Sequence, residues 1–389
     1  MNDIAITRTA ATVAPGFEQV GVAFATALEQ SPRGGAALSV IVDGTTVVDL
    51  WGGSADVRSG RPWVESTTSV MFSMTKGLVA LLVARLVEQG LIDLDAPVAR
   101  YWPEFAQAGK DAITVRQVMA HRAGLSYPVQ DLTRDDLLRW DPVVTALAAQ
   151  APLWTPGEAH QYHALTYGWL VGEVVRRVTG LSVGAAFARY LTDPVGAEAW
   201  IGVPAAELDR VAHLAPGPGF SLTLPDGVPD RERFERAFQL GGAIPAEAAG
   251  DGTGLNDPAL QQAEIPAGVG IATARAVASL WSSAIVATPG TTPLPAAVLD
   301  DMTVTRSSGQ PLWRIPGLPE ESWGTGFNVP SEPMPLFGPT SFGHGGAGGQ
   351  LSFADRDSGV AFAFLTNDLQ VINDLRVATL IDAVRASLG

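Results

Sequence analysis

The chain has 389 residues, is 47% hydrophobic, and carries a net charge of −15 with no cysteine. That length and apolar content suit one large globular domain or two closely packed ones, and the acidity, with no arginine-rich run, argues against nucleic acid or an anionic membrane surface as partner. Without cysteine there is no disulfide, no thiolate metal site and no thiol nucleophile, so catalysis falls to oxygen and nitrogen groups.

The first residues, MNDIAITRTAATVAPGF, hold no basic segment followed by an apolar run, and no stretch reaches the ~20 apolar residues of a membrane span. A cytoplasmic, soluble protein is expected. Phe17, Val20, Phe24, Ala27 and Leu28 recur at three-to-four spacing and predict an amphipathic helix over residues 16–30. β-branched runs at 36–42 and 45–51, divided by Asp43-Gly44, predict a tight hairpin. Residues 73–89, SMTKGLVALLVARLVEQ, are apolar on most faces and closed by Gly90, the pattern of a buried central helix. From 91 to about 251 the pattern is mostly helical: Thr114 opens VRQVMAHR, which Gly124 ends, residues 163–179 are periodic, Gly180 closes them and Ser182 opens the next helix. Residues 216–254, rich in glycine, proline and acids, read as long surface loops. After a helical stretch at 273–287, strands at 349–355 and 360–366 join through Asp357-Ser358-Gly359, and a helix follows over 369–388. No internal repeat is present. The layout predicts an α/β domain from residues 1–90 and 255–389, and a mainly helical domain with long loops from 91–254.

Lysine is nearly absent. Of 25 basic residues only Lys76 and Lys110 are lysines. Lys76 stands three residues after Ser73, and an amine, unlike arginine, can lose its proton in a desolvated pocket and act as a base. Ser73 is placed at or near the start of the buried helix, where its backbone N–H faces any negative charge that develops and Lys76 lies one turn on. This suits a nucleophile with its activator. The same spacing also suits a capping serine with a lysine reaching solvent.

Two further segments bear on that choice. Tyr162 follows a Pro-Gly turn in PLWTPGEAHQYHALTYGWLVGEVV, and His344-Gly345-Gly346 runs into the C-terminal hairpin in SFGHGGAGGQLSFADRDSGVAFAFLTND. With these, from about residue 36 to the C-terminus, the chain resembles the serine β-lactamase and penicillin-binding-protein superfamily, more closely its class C-like branch that includes family VIII carboxylesterases. Ser73-Met74-Thr75-Lys76 is similar to S-x-x-K, Tyr162 to the tyrosine of Y-x-N, and His344-Gly345-Gly346 occupies the K-T-G position; ITVRQVMAHRAGL and IPAGVGIATARAVASL also look like that group. The resemblance implies an α/β (α+β) fold of the β-lactamase/DD-peptidase type, an antiparallel sheet flanked by helices plus an all-helical domain, with the active site at their junction. It implies that Ser73 attacks an acyl carbon, that Lys76 and Tyr162 move the proton, that the N–H groups of Ser73 and Ala347 form an oxyanion hole, and that His344, Gly345 and Gly346 line the substrate site. No metal and no cofactor are implied.

The chain departs from the pattern twice. Ala164 replaces the asparagine of Y-x-N, which removes an amide that grips an acylamide group, and His344 replaces the K-T-G lysine, which removes the charge that receives a β-lactam carboxylate. Neither change touches acyl transfer. An ester needs no anchor charge, so a serine esterase acting on small carboxylic esters with short acyl chains is expected. The alternatives are a β-lactamase, a D-amino-acid peptidase or amidase, an acyltransferase, and a catalytically silent binding domain. Loops at 127–140 and 216–254 are expected to set specificity.

Three other motifs carry less. Gly180-Leu181-Ser182-Val183-Gly184 matches G-x-S-x-G, yet Ser182 follows a helix rather than a strand and fits an N-cap. Residues 343–348 match G-x-G-x-x-G but precede a strand, so no dinucleotide site is implied. His160 and His163 lack a completing ligand set and read as surface or pocket-wall histidines.

Overall fold

A computed structural model describes residues 12–314, 320–371 and 374–389; the first eleven residues of the leader reading above lie outside them. Its centre is a nine-stranded antiparallel sheet. The chain enters through helix α1 (Glu18–Glu29), and strands β1 (Gly35–Val42) and β2 (Thr45–Asp56) form the expected hairpin. The sheet is completed from the other end of the sequence by β3 (Ser341–Gly346), β4 (Gln350–Asp355) and β5 (Val360–Thr366), with β5 pairing β1 along its length.

Alternation along β5 decides what packs where. Val360, Phe362 and Phe364 face α1 and the C-terminal helix Arg376–Leu388, in a cluster with Phe24, Leu38, Phe353, Leu380 and Val384. Ala361, Ala363 and Leu365 face the other way, into the large core shared with the helices between the two halves of the sheet. Strands present opposite faces at successive residues, so the alternation puts large rings on one layer and small side chains on the other. The small side lets Ala274–Ile285 lie close, its Trp281 buried and donating from the indole nitrogen to Ser352 Oγ at 2.8 Å.

Helix α2 (Met74–Glu88) lies on this same side, with Met74 to Leu86 buried throughout. Gly77 sets its distance from β3. A Cβ there would stand 2.9 Å from the Trp281 ring and 3.0 Å from His344 Cβ, so only glycine lets helix and strand meet this closely.

Several boundaries differ from the sequence reading. Residues 216–254 include the helix Arg231–Phe238, with Phe234 and Ala237 buried and Arg231 paired to Glu235 one turn on; the glycines and prolines around it masked a short amphipathic period. The helix after Thr114 ends at Met119, because His121 takes a left-handed φ of 61°. Strand β3 was disguised by its own glycines. Among the described residues, no helix is long and apolar enough to cross a membrane.

Candidate active site

Ser73 sits at the turn into α2, directly after Phe72, whose φ is 48°. Thr75 holds that turn: its hydroxyl donates to Phe72 O at 2.6 Å and accepts from Gly270 N–H at 2.9 Å. Although Ser73 occupies the N-cap position, its side chain makes no capping bond. The hydroxyl is free for other partners. Lys76 Nζ stands 3.3 Å from Ser73 Oγ, and the Tyr162 hydroxyl donates to that oxygen at 2.8 Å.

Lys76 is fully buried inside the core side of the helix. Its amine donates to Ala267 O at 2.7 Å and lies 4.8 Å from the centre of the Tyr162 ring. Burial drives its pKa well below the ordinary lysine value, opposed by the negative charge of Glu321. Burial likewise pushes the Tyr162 phenol upward. Burial therefore favours the uncharged forms of both groups at one serine oxygen, the forms in which an amine can accept a proton and a phenol can supply one.

Trp323 stacks on Tyr162 with ring centroids 5.2 Å apart and planes 16° from parallel, fixing the phenol's plane. Asn328 is buried beside the end of β3; its Oδ1 accepts from Gly345 N–H at 3.1 Å and its amide donates to Glu321 at 3.2 Å. Burial raises Glu321 to about 7. None of these three was singled out in the sequence. Their positions follow from the tertiary arrangement of short edge strands, which single-residue spacing does not encode.

His344 is buried on the same wall. Its Nδ1 donates to Gly345 O at 2.6 Å, and burial together with Lys76 pushes its pKa down to about 3, so the imidazole is neutral. Gly346 lies where a Cβ would come within 2.5 Å of Met71 O, bringing the end of β3 against the nucleophile's own segment. Beyond it, among the described residues, neither Ala347 N–H nor Ser73 N–H donates to a backbone carbonyl. Ser73, Tyr162, His344, Gly345, Gly346 and Ala347 share one cleft of about 900 Å³, walled further by Phe238 and Trp323.

The other sequence candidates fall elsewhere. Ala164 is buried in an apolar cluster with Phe234, Ala237 and Trp313 that packs behind the cleft-lining Tyr162 and Phe238, and does not itself line the cleft. Ser182 caps its helix by accepting from Ala185 N–H at 3.3 Å and donates to Glu264. His160 lines the cleft, whereas His163 is a core residue and not a surface one: its Nδ1 donates to Gln161 O at 2.7 Å and its Nε2 accepts from Leu125 N–H at 3.2 Å. No group of three or more potential metal ligands occurs among the described residues.

An amine and a phenol directed at a serine on a buried helix, beside strand β3 of an antiparallel sheet, fit a serine hydrolase of the β-lactamase fold. Residues 22–386 match the family model described as Beta-lactamase, and the chain belongs to that family. Among its relatives, "Esterase/beta-lactamase LipL" of Mycobacterium tuberculosis is 35% identical over 365 residues, spanning 91% of this chain and 82% of LipL. A family VIII carboxylesterase crystal structure superposes with a TM-score of 0.84 at 35% identity, covering 96% of this chain and 98% of that one. A penicillin-binding-protein homologue from Caulobacter crescentus gives a TM-score of 0.84 at 37% identity, covering 97% and 100%.

Proposed function

We propose that the protein is a serine carboxylesterase that cleaves small carboxylic esters through an acyl-enzyme on Ser73. The reading rests on one observation above the others: a fully buried amine 3.3 Å from Ser73 Oγ, with a phenol donating to the same oxygen. Neutral Lys76 takes the serine proton as Oγ bonds to the acyl carbon, and the carbonyl oxygen gains charge facing the N–H groups of Ser73 and Ala347. Tyr162 then delivers a proton to the departing alkoxide and is reprotonated from Lys76, so an alcohol leaves and the acyl group stays on Ser73. Water repeats the sequence in reverse and releases the acid.

The ester preference is supported by what faces the cleft where a β-lactam carboxylate would dock. His344, on the cleft wall, is neutral there. Two of the relatives are named as esterase or carboxylesterase. A panel of p-nitrophenyl esters of increasing acyl length, run beside nitrocefin and a D-Ala-D-Ala peptide, tests the reading, with Ser73→Ala as control. Ester turnover that disappears in Ser73→Ala, with an acyl adduct on Ser73 by mass spectrometry, is expected. Turnover retained in Ser73→Ala, or lost in Ser182→Ala, overturns it.

A further inference from the structure

Tyr162 lies on an irregular segment before the helix Thr166–Thr179, so nothing in regular secondary structure fixes its direction. What brackets it is one residue from a distant part of the chain. His121 C=O accepts from Gln161 N–H at 3.0 Å, and His121 Nδ1 accepts from His163 N–H at 3.2 Å, the residues on either side of Tyr162. The His121 ring meets the Tyr162 ring edge-on at 5.0 Å and the Trp323 ring edge-on at 4.6 Å, and Trp323 itself stacks on the phenol, so the three rings form one cluster.

Three details show that this bracket is specific. His121 adopts φ 61°, a conformation that costs a non-glycine residue energy and turns its carbonyl and its ring toward the same segment. Its Nδ1 accepts, so its ring proton is on Nε2; His163 is fixed in the opposite tautomer, with Nδ1 donating to Gln161 O and Nε2 accepting from Leu125 N–H. The two imidazoles thus tie residues 121–125 to residues 161–163 at both ends, and both are buried. Finally, His121 is not among the residues that line the cleft, and the catalytic side chain it meets ring to ring is Tyr162.

We infer that His121 is a positioning residue for the acyl-transfer reaction, holding the Tyr162 hydroxyl on Ser73 by bonding the chain on either side of the tyrosine. This rests on the role given above to Tyr162. A phenol released from the bracket still occupies the cleft but loses its 2.8 Å approach to Ser73 Oγ. Substrate binding is then largely preserved while the proton path is not.

The test compares four variants with the parent enzyme on one p-nitrophenyl ester. His121→Gly keeps the backbone conformation and removes the ring; His121→Asn suits the left-handed φ and returns an acceptor near the Nδ1 position. His121→Gly is expected to lower kcat by roughly 10² with KM changed less than about threefold, a loss of the size that misplacing a catalytic group by an ångström produces. His121→Asn is expected to regain most of that loss. Added to Tyr162→Phe, His121→Gly should cost no more than about twofold, because the group it positions is already gone. Should the glycine variant fail to fold by circular dichroism, His121→Leu replaces it against His121→Asn. Additive losses in the double variant, or an asparagine variant no better than glycine, overturn the proposal. A silent Tyr162→Phe overturns it too, while Ser73→Ala still reports separately on hydrolysis at the serine.

Discussion

Both lysines of the chain are fully buried, and they are held in opposite ways. Lys110 donates to three carbonyl oxygens, those of Gln107, Ala148 and Gln150, and so closes the end of the helix Asp141–Ala149. Three acceptors match the three protons of an ammonium. Burial pushes its pKa down only to about 8, and at pH 7 it remains a cation. Among the described residues Lys76 has a single carbonyl acceptor, Ala267 O; a serine oxygen and an aromatic face beside it are content with a neutral amine, and the charge of Glu321 opposes burial. Lys76 is the more deeply enclosed of the two and has fewer acceptors to hold a charge, and both favour its free amine.

Exchanging each lysine for arginine is the severest test of that contrast. Lys76→Arg is expected to lose roughly 10³-fold or more in kcat, nearly as much as Lys76→Ala, since a guanidinium cannot take up the serine proton. Lys110→Arg keeps the charge and is expected to retain activity within about threefold. Steady-state kinetics on a p-nitrophenyl ester decide it, and an active Lys76→Arg enzyme would make Lys76 a fixed charge like its counterpart.

The reverse contrast is in stability. Lys110→Met leaves three buried carbonyls without their donor and is expected to cost about 3 kcal/mol, read by urea denaturation, with the activity of the folded fraction unchanged. Lys76→Met removes a desolvated amine and leaves one carbonyl, so it should cost clearly less. Equal losses would mean that both lysines are structural.

A third position extends the comparison, because the family resemblance places a lysine where this chain has His344. Held neutral by burial, His344 offers no charge to a β-lactam carboxylate. Short p-nitrophenyl esters are therefore expected to exceed nitrocefin in kcat/KM by about 10², equivalent to about 2.7 kcal/mol. Restoring the family pattern with Ala164→Asn should not narrow the gap, since that side chain would enter an apolar cluster with Phe234 and Trp313. A nitrocefin rate matching the best ester would reverse the assignment.

These contrasts also mark what the sequence can carry. Ser73 and Lys76 are one helical turn apart, so covalent spacing alone brings them together, and the scarcity of lysine draws attention to the pair. The hairpin at Asp43-Gly44 and the Phe/Ala alternation of β5 are likewise local patterns. Trp323 and Asn328 reach the site on strands of two residues, with Glu321 just before the first of them, and such strands are too short for periodicity to register. His121 was within a recognised phrase, but its importance lies in a backbone angle and in bonds to residues forty positions away.

Glu321 provides the finest test, because it acts on Lys76 without touching the serine. Its negative charge raises the Lys76 pKa against the lowering effect of burial, and its own pKa is raised to about 7. In Glu321→Gln that opposing charge is gone, so Lys76 gives up its proton at lower pH, and the acid limb of the kcat/KM profile should move downward by less than about one pH unit. A limb that moves upward would contradict the arrangement. Stability carries the complementary sign. Between the unfolded carboxyl value near 4.5 and about 7, the folded protein binds a proton at Glu321 that the unfolded chain has lost, so this residue's contribution is fully present below that window and lost as pH rises through 7. Glu321→Gln should therefore gain on the parent in denaturation at pH 8 and lose that advantage at pH 4. A variant that gains nothing at pH 8 would show that Glu321 is not held protonated by burial, and that the amine beside it faces a full negative charge throughout its working range.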